Sequence, residues 1–159
     1  MSNIAEQAET ERQGTLKPKK RSRTFFVVFL LIVLAVSGFG LLNFQTVIIQ
    51  GDSMEPTFYD EQRILVCKAL WLVGKPKHND IVVIKGTRPG EYLVKRVYRL
   101  QGEAVEIVYQ PYEWSFTKGV YVVPEGHIYV LGDNLENSED SRSFGAVEES
   151  RVIGKVVMF

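Results

Sequence analysis

The feature that most limits how this chain can fold is residues 25–42, FFVVFLLIVLAVSGFGLL, a run that is apolar on every face. No charged side chain occurs between Thr24 and Gly51. At ~1.5 Å of rise per helical residue and ~20 residues per crossing, the run is long enough to span a hydrocarbon core. The core helix of a soluble protein concentrates its apolar residues on one stripe, and this segment does not. A cleavable secretion signal shares the basic start, and Ala35-Val36-Ser37 fits the small-x-small pattern of a cleavage site, but the run exceeds the ~7–15 residues of a signal's apolar region. The expectation is a single permanent transmembrane helix over residues 24–44. Lys17, Lys19, Lys20, Arg21 and Arg23 precede it, and basic flanks stay in the cytoplasm, so the N-terminus is expected inside and the chain after about Phe44 outside. Residues 1–23 read as a basic cytoplasmic tail, of which residues 1–16, poor in large apolar side chains, are expected to be disordered.

Charge divides at the same boundary. Residues 1–23 carry six basic and three acidic side chains, the remainder thirteen and sixteen, so the formal neutrality of the chain is a sum of opposites. The mildly acidic outer part has no basic stripe, which argues against nucleic acid as a partner. Cys67 is the sole cysteine, so neither an intramolecular disulfide nor a cysteine metal site can form. His78 and His127 stand far apart, and no metal or other cofactor is expected.

About 115 residues follow Phe44, enough for one compact domain, 45–159. Short β-branched and aromatic runs recur at residues 46–49, 63–67, 80–84, 92–97, 104–108, 127–131 and 152–157. Turn formers separate them, as in Lys75-Pro76, Gln101-Gly102 and Pro124-Glu125-Gly126. The pattern predicts a mostly β fold, an all-β barrel or folded sheet, with room for a helical turn only within residues 59–71.

The candidate chemistry centres on Ser53, in the turn Gly51-Asp52-Ser53-Met54-Glu55-Pro56-Thr57. A serine hydroxyl needs a base within hydrogen-bond reach to act as a nucleophile. Neither histidine is compelling, since His78 lies in a polar turn and His127 opens a strand. A lysine serves if burial lowers its pKa, because desolvation disfavours the ammonium form. Strand alternation puts Lys95 on one face with Leu93 and Val97, and Arg96 on the other with Val94 and Tyr98. In isolation such a lysine is an ordinary solvated strand residue.

In combination the residues are more specific. Ser53-Met54-Glu55-Pro56-Thr57, Asn79-Asp80-Ile81-Val82-Val83, Lys95-Arg96-Val97 with Gly102-Glu103, and GDNLENSEDSRSFG over residues 132–145 resemble the ordered motifs of bacterial type I signal peptidases, in order and behind an anchor. The resemblance covers residues 25–159 and is nearest to small Gram-positive members. It implies a membrane-bound serine endopeptidase with a serine-lysine dyad on a mostly β fold, removing signal peptides from exported preproteins at the outer face of the cytoplasmic membrane. It further implies Ser53 as nucleophile, Lys95 as general base, Ser138 as the hydroxyl orienting that lysine, Asp140 and Arg142 as a supporting ion pair, and Asp133 as partner of Arg96.

Gly51 stands where Gram-negative members tend to carry a serine that assists the oxyanion, so the hole is expected to use backbone N–H groups, that of Ser53 included. Met54 and Phe58 are expected at the substrate pocket, with Phe58 replacing the usual leucine and narrowing it. Asn79 and Glu103 replace a glycine and an aspartate without removing a reacting group. Ser53 follows Leu42 by eleven positions, which places the site near the outer headgroups, and Trp71-Leu72-Val73 and Trp114 are candidates either for the lipid interface or for the core. Two other classes share features: an autoproteolytic repressor-type protein, which expects a DNA-binding domain where this chain has a span, and a non-enzymatic or specialised peptidase-like factor for surface-protein assembly, favoured only if Ser53 or Lys95 were missing.

Overall fold

The computed structural model describes residues 20–86, 88, 90–114 and 118–158. Of the expected tail over residues 1–23, residues 1–19 lie outside them and residues 20–23 belong to the first helix. The chain divides into two compact units, residues 1–39 and 40–159.

Helix α1, Lys20–Asn43, contains the apolar run. Its segment Arg23–Asn43 is long and apolar enough to cross a membrane, and none of its hydrophobic stretch is buried by protein. Phe25, Phe26, Val27, Val28, Phe29 and Leu30 are all exposed, on every side of the helix. An apolar surface on every side suits a helix surrounded by lipid, where a soluble core helix carries one apolar stripe.

The second unit is a seven-stranded antiparallel sheet in the order β1-β2-β7-β3-β4-β5-β6. The strands are β1 (Phe44–Ile48), β2 (Arg63–Cys67), β3 (Ile81–Lys85), β4 (Tyr92–Leu100), β5 (His127–Leu131), β6 (Val147–Glu148) and β7 (Val152–Met158). Two helical turns, α2 (Leu70–Val73) and α3 (Ser141–Phe144), interrupt them. Although three strands separate β1 from β4 in the sheet, residues of both line one groove, so the sheet curls over on itself.

Apolar runs without alternation are strands covered on both faces. Val82 and Ile84 of β3 enter one buried cluster with Val97, Ile128, Val130, Val147 and Val152, while the intervening Val83 enters a second with Ile49, Met54, Phe58, Ile64 and Val66. On β5, Ile128 and Val130 face the first cluster, and Tyr129 and Leu131 a third with Val105 and Val123. Gly154 lets β2 and β7 approach: a Cβ there would lie 2.4 Å from the Cys67 carbonyl oxygen.

One expected strand is absent. Of residues 104–108, only Ala104 makes a β-bridge, to Val122, and Ile107–Tyr109 form a 3-10 turn with Ile107 and Val108 exposed. The Gln110 side chain donates to the Val105 carbonyl at 3.1 Å, satisfying the acceptor a strand would have paired, and Glu106 turns back to Tyr98 and Arg99. Sequence reading also missed α3 and β6. The two tryptophans behave differently: Trp71 is 74% exposed, whereas Trp114 packs edge-on against Tyr121, with centroids 5.0 Å apart, and donates to the Gly119 carbonyl.

Candidate active site

Four segments converge: the turn after β1, strand β4, the loop after β5, and α3. In the register of β3 with β4, Lys95 lies opposite Val82. The alternation predicted for β4 holds, since Leu93 and Val97 pack with Val82 while Val94 packs with Val83. Lys95 is 2% exposed, and its Nζ lies 2.8 Å from Ser53 Oγ. Burial pushes the pKa of this amine below its ordinary 10.5, and the negative charges of Asp140 and Glu139 offset that only in part. A buried amine losing its proton readily, in contact with a serine hydroxyl, is the arrangement general-base activation requires.

The turn bearing Ser53 is fixed at both ends. Gly51 has φ of 83°, a left-handed conformation that glycine adopts without strain, and its N–H donates to Asp60 Oδ1 at 2.8 Å. Met54 and Phe58 then sink into the second cluster, at 1% and 0% exposure. Among the described residues the Ser53 N–H donates to no acceptor, which leaves it available for an oxyanion, whereas the Gly51 N–H is committed to Asp60.

A groove of about 310 Å³ runs beside this turn, with residues 47–50 on one wall, residues 90–95 on the other, and Ser53 and Met54 in its lining. Phe58 is not part of that lining. Its side chain is wholly enclosed in the second cluster with Ile64 and Val66, alongside Met54.

The closing loop is held by two ion pairs. Arg142 grips Asp140 with Nε to Oδ1 at 2.9 Å and Nη2 to Oδ2 at 3.0 Å, and Nη2 also donates to the Leu135 carbonyl at 2.7 Å. Asp140 further accepts the N–H of Gly132 and caps α3 through the N–H of Arg142. Burial opposes its ionisation, but the Arg142 guanidinium and these N–H groups outweigh it and hold the carboxyl below the usual range. Arg96 binds Asp133 in the same two-pronged way, at 2.8 and 2.6 Å, and reaches Thr57 Oγ1 at 3.2 Å. Gly132 lies flat against the site: a Cβ there would fall 2.1 Å from Ser138 Oγ and 2.5 Å from the Ser53 carbonyl oxygen.

The role implied for Ser138 is not realised as a contact. Its hydroxyl is buried and makes no hydrogen bond to Lys95, whose amine contacts Ser53 Oγ. Sequence reading missed a set of polar links between the loop and the nucleophile's turn. Asn134 donates its N–H to the Ser53 carbonyl at 3.1 Å and its Nδ2 to the Asp52 carbonyl at 3.2 Å, and Asn137 Nδ2 donates to Asp52 Oδ2 at 2.9 Å. Asn134 and Asn137 look like common turn residues in sequence, and no local pattern announces partners more than eighty positions away.

Comparison with known proteins bears on what this geometry serves. A family model described as "Signal peptidase, peptidase S26" matches residues 21–111 and 108–159. Signal peptidase I of Bacillus licheniformis is 31% identical over 170 residues, 91% of this chain and 91% of that protein. Signal peptidase I T of Bacillus subtilis (strain 168) is 31% identical over 98% of this chain and 95% of its own length. A crystal structure of signal peptidase I from Enterococcus faecalis V583 aligns over 52% of this chain and 97% of its own, with 29% identity and a TM-score of 0.42. With a family match over most of its length and full-length relatives of this similarity, the chain belongs to the signal peptidase family, peptidase S26, and is a serine peptidase of the signal peptidase I kind.

Proposed function

We propose that α1 anchors this chain in the cytoplasmic membrane as a single span with its N-terminus in the cytoplasm, and that on the outer side Ser53 and Lys95 cleave signal peptides from exported preproteins. The observation that carries the chemistry is the 2.8 Å contact between Ser53 Oγ and a lysine amine withdrawn from water. The basic residues before the span support the orientation. An extended substrate fits the groove between residues 47–50 and 90–95, which presents its scissile carbonyl to Ser53.

In the reaction, neutral Lys95 takes the Ser53 proton as Oγ attacks the carbonyl carbon. The oxyanion that forms is met by the Ser53 N–H. Lys95, now an ammonium, gives its proton to the departing amine of the mature protein, and the signal peptide is left as an ester on Ser53. A water, deprotonated by the same amine, then attacks the ester carbonyl, and the ammonium returns the proton to Ser53 Oγ as the C–O bond breaks, releasing the signal peptide's carboxyl terminus and restoring neutral Lys95. Asp140, Arg142, Asp133 and Arg96 do no chemistry in this scheme; they hold the loop that shapes the site.

The test is cleavage of a purified preprotein by the detergent-solubilised chain, with Ser53→Ala and Lys95→Ala beside it and the new N-terminus sequenced. Cutting at one site by the wild type alone supports the dyad. Retained turnover in either variant rejects it.

A further inference from the structure

The peptide unit joining Asp52 to Ser53 matters more than its exposure suggests. Because a peptide bond is planar and trans, its C=O and N–H point in opposite directions, so whatever holds the Asp52 carbonyl also aims the Ser53 N–H. That carbonyl accepts from the N–H of Glu55 at 3.0 Å, inside the turn, and from Asn134 Nδ2 at 3.2 Å, from the closing loop. The next carbonyl, that of Ser53, is held by the N–H of Asn134. Asn134 thus touches both peptide units that flank the nucleophile. The loop that carries it is braced from the far side by Asp140 and Arg142, beside Asn134 by the pair of Arg96 with Asp133, and at Asp52 by the hydrogen bond from Asn137 Nδ2 to the carboxylate at 2.9 Å.

We propose that Asp52, Asn134 and Asn137 form a latch of positioning residues that orients the Asp52–Ser53 peptide so that the Ser53 N–H faces the developing oxyanion. The inference rests on Ser53 being the nucleophile. Asp52 and Asn137 are both exposed, so their hydrogen bond contributes little to stability, and its loss registers in turnover. A donor that must meet charge present only in the transition state affects kcat and leaves substrate binding alone.

The experiment uses the full-length chain in detergent, with a purified preprotein as substrate, and measures kcat, KM and thermal unfolding. Asn137→Ala is expected to lower kcat about tenfold with KM within about twofold and the melting temperature nearly unchanged. Asn137→Asp, which sets two carboxylates against each other, is expected to lower it further. The reciprocal double variant, Asp52→Asn with Asn137→Asp, restores an amide donor facing a carboxylate and is expected to recover most of that loss. Three results overturn the latch: kcat within twofold of wild type in Asn137→Ala, a change confined to KM, or a double variant no more active than Asn137→Asp alone. If Asn137→Ala fails to fold, the comparison of Asn137→Asp with the double variant decides. Ser53→Ala, run alongside, separates the two readings. Turnover there rejects Ser53 as nucleophile, whereas a dead Ser53→Ala with fully active latch variants rejects the latch alone.

Discussion

Replacing Lys95 by methionine separates the chemical from the structural cost of burying an amine. The side chains are similar in length, so the 2% exposed site stays filled, but the base and its contact with Ser53 Oγ are gone. General-base catalysis contributes ~10²–10⁴ in rate, or about 3–5 kcal/mol of transition-state stabilisation, so kcat is expected to fall by that factor. Stability moves the other way. The folded-state pKa of Lys95 lies below its ordinary 10.5, so between the two values the unfolded chain binds more protons than the folded one. Wild-type stability therefore rises with pH across that window, and the penalty of burying the ammonium is fully present below it. Each unit of depression is worth ~1.4 kcal/mol. Lys95→Met carries no such penalty and is expected to gain on the wild type in acid and lose that advantage as the pH approaches 10.5. Preprotein cleavage and thermal unfolding at a series of pH values read the two effects. More than a tenth of wild-type kcat in the variant, or a stability difference that does not change with pH, refutes the reasoning.

Wild-type kcat itself is expected to rise with pH through the lowered pKa of Lys95, measured as an initial-rate profile with an acid limb. Gly132→Ala drives a methyl group into Ser138 Oγ and the Ser53 carbonyl, so it is expected to destabilise by ~1–3 kcal/mol and to abolish turnover, read by calorimetry and cleavage. Arg142→Ala strands the Asp140 carboxylate, whose side chain is wholly buried, and is expected to cost ~3–5 kcal/mol in chemical denaturation. Trp71→Ser with Leu72→Ser removes exposed side chains of α2; it is expected to leave the melting temperature unchanged and to weaken vesicle binding by a chain truncated before Phe44.

What the sequence made legible follows from the physics of each element. β2 and β5 were read at their observed bounds, because each is a β-branched run closed by turn formers. The contact of Ser53 with Lys95 was anticipated only through the resemblance, for alternation alone places a lysine on a face without saying what it meets. Ile107 and Val108 carry strand-like side chains yet lie in a 3-10 turn, because the Gln110 and Arg99 side chains, a few positions away, take up the Val105 carbonyl and the Glu106 carboxylate, which β-propensity does not register. Phe58 was placed at the pocket by the resemblance, whereas its side chain is wholly enclosed with Ile64 and Val66, a packing that its position in a turn motif does not announce. Asp52 and Asn137 were invisible for the same reason: short polar residues in turns have many local uses, and only the folded chain pairs two of them 85 positions apart.

The central claim is that Lys95 is neutral when it meets Ser53, and the most direct test follows the Lys95 side-chain carbon resonance by NMR against pH, beside the pH profile of kcat. The account predicts that Lys95 titrates below 10.5 and that its midpoint coincides with the acid limb of the rate profile. A lysine titrating at its ordinary value, or a rate profile indifferent to its protonation, would contradict it.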